Sequence, residues 1–293
     1  MCEASGYVDA RPYRARSPDS PFAGRELVRC ERCGTRSAYP MPSEAQLRAY
    51  YRTYSPSENR EDQLPFLDAQ AKARAAFFSD LIQHLQSLTV LDVGAGYGCI
   101  ASHLAAQVPS LVYDAVEWDG DSVRYLRRNT AVNRILADLS ETRRQYDLVI
   151  LAHVLEHVPQ PSGYLQALRS YLKAQSLLFI ELPNEDFRYK DNNEPHLVFF
   201  SPTTICTLLD RHGFKVLRSE TFGVPASELE AFWGAVDTRK KEIRRIDMLD
   251  SEKGNRMLRD FLDDRKRHFE RMRDLVQSTG SDRQWIRVLA APA

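Results

Sequence analysis

The chain has 293 residues, and its 40 Lys plus Arg are matched by 40 Asp plus Glu, so the formal net charge is zero. That balance carries no electrostatic footprint for duplex nucleic acid or for an anionic lipid surface. A hydrophobic share of 43% excludes a disordered chain and suffices for one large domain with an attachment, or for two modest ones. Residues 1–25, rich in Arg, Pro and Ser, read as extended or poorly ordered. Leu27-Val28-Arg29 is a short strand running into Cys30-Glu31-Arg32-Cys33-Gly34, and Pro40 and Pro42 end that piece. Ser43 caps a helix through Tyr51, a polar loop covers 55–65, and apolar residues recur at helical spacing over 66–88.

A different rhythm starts at Thr89. Strands are expected over 89–93, 113–117, 133–137, 146–151, 177–182, 215–220 and 285–290, with helices over 99–107, 121–129, 161–172 and 201–212 between them. This alternation specifies an α/β protein with a mainly parallel, doubly wound sheet. Residues 226–278 interrupt it with two highly charged, helix-favouring stretches and a turn expected at 251–255, so a helical hairpin is inserted before the last strand. The division is then 1–54 as an N-terminal appendage, 55–225 as the core, 226–278 as the hairpin and 279–293 as the final core strand. The hairpin would cap the substrate pocket or pair two copies as a homodimer.

No window approaches the roughly 20 apolar residues that a membrane helix needs. The first 25 residues lack the apolar centre of a signal peptide. Five cysteines, Cys2, Cys30, Cys33, Cys99 and Cys206, are odd in number and sparse, unlike a disulfide framework. A soluble, cytoplasmic protein is expected.

Gly94-x-Gly96-x-Gly98 stands where a strand ends and a helix begins, which lets the backbone turn tightly and a ligand lie close against it. Asp92 lies two residues before the loop, and Glu117 ends the next strand, where a carboxylate can accept both hydroxyls of a ribose. A nicotinamide-binding domain would show G-x-G-x-x-G, but position 99 is Cys, and that fingerprint has no strand-borne Asp two residues ahead. Val90-Leu91-Asp92-Val93-Gly94-Ala95-Gly96-Tyr97-Gly98 resembles the first motif of the class I S-adenosylmethionine-dependent methyltransferases. Ala115-Val116-Glu117-Trp118-Asp119 is similar to the second and Ala137-Asp138-Leu139 to the third. Tyr146-Asp147-Leu148-Val149, followed by His153-Val154-Leu155-Glu156-His157-Val158-Pro159, resembles the fourth in its small-molecule form.

The resemblance covers 66–223 and implies a Rossmann-like seven-stranded methyltransferase sheet with helices on both faces. It also implies S-adenosylmethionine, held by Asp92, Gly94, Ala95, Gly96, Glu117 and Trp118, with Asp138 and Leu139 near the adenine and His153 close by. The acceptor implied is a small polar metabolite such as a sugar, a sugar nucleotide or a natural-product intermediate. Oxygen is the atom expected to be methylated; carbon and nitrogen stay open, as does a non-catalytic partner subunit with the same fold.

His153, Glu156 and His157 follow the fourth strand at the sheet edge where open α/β proteins bind ligands, and would share a face if that stretch is helical. His157 is the first candidate for general base, on a reference pKa near neutrality. The alternative is that it and Glu156 tie the loop to the sheet. The three residues also supply ligand types that could meet at one divalent metal ion, with His196 as a further donor. Asn184, Tyr189 and His196 follow the fifth strand, where the substrate pocket should open. Tyr50, Tyr51 and Tyr54 line it from a lid, or else pack half-buried.

Cys30-x-x-Cys33-Gly34 has the spacing of half a zinc site. The segment from Cys30 to Tyr51 resembles the entry of sugar and natural-product methyltransferases, several of which carry a small zinc module with a second cysteine pair upstream. Only Cys2 stands upstream in this chain, so a bound zinc needs Cys2 and one more ligand; a metal-free remnant is the alternative.

Overall fold

Leu88, Val90, Leu91 and Val93 belong to one strand and are all buried, which requires cover on both of its faces. The computed structural model, which describes residues 6–53, 63–247 and 251–293, supplies that cover. In chain order the core elements are α2 (Leu64–Phe77), α3 (Ser79–Ile82), β4 (Ser87–Val93), α4 (Cys99–Ala105), β5 (Ser110–Val116), α5 (Gly120–Leu126) and β6 (Arg134–Leu136). They continue with β7 (Tyr146–Ala152), α6 (Pro161–Leu168), β8 (Leu172–Pro183), α7 (Pro202–Arg211), β10 (Phe214–Pro225) and β11 (Arg283–Pro292). Seven of these strands make one sheet in the order β10-β11-β8-β7-β4-β5-β6. β8, β7, β4, β5 and β6 pair in parallel, whereas β11 is antiparallel to both β8 and β10. Leu91, Val149 and Leu178 pack on one face of the sheet, and Val90, Leu148 and Phe179 on the other.

The chain reverses its direction of travel across the sheet between β4 and β7, which opens a crevice beyond their carboxyl ends. The helix expected over 66–88 is shorter than its apolar pattern. α2 starts with Pro65 in its first turn and ends at Phe77, and Ser87 and Leu88 join β4 by pairing with Ser110 and Leu111. Parallel pairing outcompetes helical propensity there.

The appendage is more structured than its composition suggests. β1 (Tyr7–Pro12), β2 (Glu26–Cys30) and β3 (Arg36–Tyr39) form an antiparallel sheet, and β9 (Val198–Phe199) adds a fourth strand to it from the core. Of the two readings of this start, extended or poorly ordered, the segment 7–12 takes the extended one, since pairing with β2 supplies an order that its Arg and Pro content hides. α1 (Glu44–Thr53) follows, opened by a reciprocal cap in which Gln46 N donates to Ser43 Oγ and Ser43 N to Gln46 Oε1.

α8 (Ala226–Asp247) and α9 (Ser251–Asp274) make the insertion between β10 and β11. Residues 251–255, expected as the turn, are helical. Leu229, Met272 and Val276 of the insertion bury against Ala73, Val224 and Trp285, so the hairpin rests on α2 and on the antiparallel end of the sheet. Among the described residues no helix is long and apolar enough to cross a membrane.

Candidate active site

Beyond the carboxyl ends of β4, β5 and β7 lies a cavity of about 1040 Å³, at the upper end of the range for small-molecule sites and roomy enough for two ligands. One wall is the glycine loop. Gly94, Gly96 and Gly98 all have φ between 57° and 70°, a conformation that L side chains rarely adopt. A Cβ on Gly94 would also come within 2.9 Å of Val154 Cγ2, so this glycine lets the loop lie against the segment after β7.

Glu117, buried at the end of β5, pins the loop: its Oε2 accepts from Gly96 N at 2.8 Å, and its Oε1 accepts from Trp118 N and Asp119 N, each at 2.9 Å. Burial nonetheless raises its pKa. Asp92 is buried deeper. Its Oδ2 accepts from the Tyr113 hydroxyl, while its Oδ1 has no hydrogen-bond partner. Burial pushes the Asp92 carboxyl up to about 7. Trp118, 55% exposed, offers its ring at the same wall.

The opposite wall comes from three segments. Glu44, Leu47, Arg48, Tyr51 and Arg52 line it from one face of α1, and His153, Val154, His157, Val158 and Pro159 from the segment after β7. Leu67, Gln70, Ala71 and Arg74 contribute from α2. His153 has φ 58°, a strained position for a non-glycine residue and one that clusters at functional sites. Its Nδ1 lies 3.2 Å from Glu156 Oε1 and its Nε2 lies 3.2 Å from Glu181 Oε1. Burial alone would lower its pKa, but the two carboxylates raise it.

The stretch 155–157 is one 3-10 turn, so His153, Glu156 and His157 do not share a helix face. His153 and His157 line the cavity, and Glu156 is buried behind it. His157 Nδ1 sits 3.3 Å from the Tyr51 hydroxyl and 3.4 Å from the Pro195 carbonyl. Desolvation pushes this imidazole down to about 4, a correction to the near-neutral value expected from its type. The ring of His196 stacks edge-on to it at 4.9 Å, with Asp186 Oδ2 lying 2.9 Å from His196 Nδ1. The appendage holds this backing in place: Tyr13 donates to the His196 carbonyl at 2.7 Å, and Tyr50 and Ser20 donate to Glu194.

Several expected residues are placed elsewhere. Asp138 is exposed and caps the turn at 139–141 by accepting from Ser140 N at 2.7 Å; neither it nor Leu139 lines the cavity. Asn184 donates to the Arg283 carbonyl and Tyr189 to that of Gln284, which ties both to β11 rather than to the cavity, and His196 reaches it only through His157. Cys2 and Tyr54 lie outside the described residues. Among the described residues, Cys30 and Cys33 belong to no group of three ligands, whereas Glu156, His157 and His196 bring one donor atom each within 4.8 Å of one another. Two charges of the site went unread, although both carried a signal. Arg74 falls on the apolar stripe of its helix, seven residues after Leu67, and Glu181 interrupts the apolar run from Leu177 to Leu182.

A family profile described as a methyltransferase domain matches residues 51–219, more than half of the chain. The ubiquinone biosynthesis O-methyltransferase of Shewanella halifaxensis (strain HAW-EB4) is 32% identical over 106 residues, 34% of this chain and 45% of that protein. The (S)-tetrahydroprotoberberine N-methyltransferase of Eschscholzia californica is 22% identical over 162 residues, 51% of this chain and 46% of that protein. The chain thus spans about half the length of the curated relatives it matches. Among solved structures, coclaurine N-methyltransferase bound to N-methylheliamine and SAH superposes with a TM-score of 0.48 at 18% identity, covering 75% of this chain and 71% of that one.

Proposed function

The chain belongs to the methyltransferase-domain family, and on that premise we propose that it transfers a methyl group from S-adenosylmethionine to an oxygen of a small polar acceptor. The observation that carries this reading is the meeting, in one cavity, of Asp92, the glycine loop and Glu117 with His157 and Tyr51. Glu117 Oε2, which accepts a single backbone bond, keeps a lone pair for a ribose hydroxyl. The partnerless Asp92 Oδ1 suits the ammonium of the donor's amino-acid end, and the exposed Trp118 ring suits a stacked adenine.

Attack on the sulfonium methyl is an in-line displacement: the acceptor oxygen bonds to the methyl carbon as the sulfur–carbon bond breaks, and S-adenosylhomocysteine leaves. Positioning and exclusion of water supply much of the rate. The hydroxyl proton goes to His157 Nε2, since Nδ1 faces Tyr51 and Pro195. An imidazole held near 4 is a weak base, so orientation by His157 and Tyr51 contributes more than basicity.

A small-molecule acceptor in the cytoplasm is the partner proposed, in keeping with zero net charge. The test is incubation with S-adenosylmethionine and a panel of sugars, sugar nucleotides and phenolic natural products, followed by mass and NMR analysis. Gain of one O-methyl group is expected. Methyl on nitrogen or carbon would keep the enzyme and discard the oxygen assignment, and donor binding without turnover on any acceptor would favour a partner subunit.

The Glu156–His157–His196 group favours a second reading, in which a divalent ion sits beside the cavity. Glu156 Oε2 is buried without a partner while Oε1 faces His153, and Asp186 orients His196 from behind, as carboxylates do for metal-bound histidines. Elemental analysis of the untagged protein checks it. Metal near one per chain that His196→Ala removes would establish the site, and a metal-free protein would discard it.

A further inference from the structure

Glu181 carries a charge that the reaction as described does not use. It lies on β8, fully buried in the middle of an apolar run, and isolated burial of a carboxylate is costly. Two guanidinium groups and an imidazole converge on it. Arg74 donates from Nε at 2.9 Å and from Nη2 at 2.5 Å to Oε1, His153 Nε2 lies 3.2 Å from the same oxygen, and Arg287 Nε donates to Oε2 at 2.6 Å. His153 N also donates to the Glu181 carbonyl at 2.9 Å.

These partners differ in where they lead. Arg287 faces away from the cavity: it is buried, reaches the Val276 carbonyl and lies 4.3 Å over the Phe222 ring. Arg74 and His153 line the cavity. Arg74 stands on α2, whose neighbouring face (Phe66, Ala69 and Ala73) packs on the inserted hairpin and Trp285. The Glu181–Arg74 bonds therefore hold a cation in the cavity that Asp92 also lines, near enough for its charge to act on the Asp92 carboxyl. An ammonium-accepting carboxylate and a cation facing one cavity match the two ends of a zwitterionic amino acid.

We propose that Glu181 is a positioning residue for the methyl donor, acting through Arg74, which would receive the donor's carboxylate. The inference rests on the donor reading above. Glu181 does not line the cavity, so its effect reaches the donor through the side chains it holds there, Arg74 and His153, of which Arg74 is the permanent cation. A purely structural role would instead make the two residues act independently on donor binding.

The experiment is calorimetric titration of S-adenosylhomocysteine into the full chain as wild type, Arg74→Met, Glu181→Gln, Glu181→Asp and the double variant Arg74→Met/Glu181→Gln. Each of Arg74→Met and Glu181→Gln is expected to weaken binding about tenfold, the double variant no further than Arg74→Met, and Glu181→Asp to recover most of the loss. Wild-type affinity in Glu181→Gln, or losses that multiply in the double variant, would overturn the inference. If Glu181→Gln fails to fold, unchanged affinity in Arg74→Met overturns it alone. Failure of the wild type to bind S-adenosylhomocysteine would instead remove the donor reading, and this inference with it.

Discussion

The two walls of the cavity are built in opposite ways. The donor wall is local: β4, the glycine loop and the end of β5 lie within 87–119, and Glu117 fixes the loop through Gly96 N and its own turn through Trp118 N and Asp119 N. The acceptor wall is assembled from distant segments, with α1 contributed by the appendage, His157 by the turn after β7, and His196 behind it on a loop that Tyr13, Ser20 and Tyr50 hold. A wall of contiguous motifs keeps one ligand constant, whereas a wall of separate segments can be reshaped piece by piece. The difference also makes the appendage part of the site, because Tyr51 faces both His157 and Trp118.

If the walls divide the work, variants should separate turnover from donor affinity. The largest effect is expected for His157→Ala, which should lower kcat about a hundredfold or more while S-adenosylhomocysteine binds as in the wild type. Loss of affinity in that variant would show that the walls are not separate. Glu117→Ala should weaken S-adenosylhomocysteine by about tenfold to a hundredfold, read by calorimetry beside circular dichroism as a check on the fold.

The Asp92 carboxyl gives the donor wall a pH signature. Burial raises it to about 7, so below that pH it is protonated and cannot accept an ammonium as an anion. Donor affinity should then fall by about tenfold for each pH unit below 7, and Asp92→Asn should bind more weakly with a flat profile. A wild-type profile that is flat from pH 5 to 7 would sink the assignment. The smallest effect is expected for Tyr51→Phe, a loss of turnover of about tenfold or less with the donor unaffected, measured by steady-state kinetics at saturating donor.

The same contrast explains what the sequence could disclose. Strands β4, β5 and β7 are short apolar runs followed by Gly94, Glu117 and His153, so both the sheet and the donor wall could be read from consecutive letters. The acceptor wall depends on tertiary neighbours. Nothing in Asn184 or Tyr189 indicates that their polar groups would be taken by carbonyls of β11, a strand about a hundred residues away. His157 resisted in another way, because a residue type announces its reference pKa but not the desolvation that shifts it. Strand β1 was hidden for a third reason, since an antiparallel partner orders a segment whose own composition favours no structure.

The most direct test of the division is to titrate S-adenosylhomocysteine into Glu117→Ala and His157→Ala side by side with the wild type. Strong loss of binding is expected in Glu117→Ala and wild-type binding in His157→Ala. Equal affinity in all three, with the folds intact, would contradict the placement of the donor against the glycine loop.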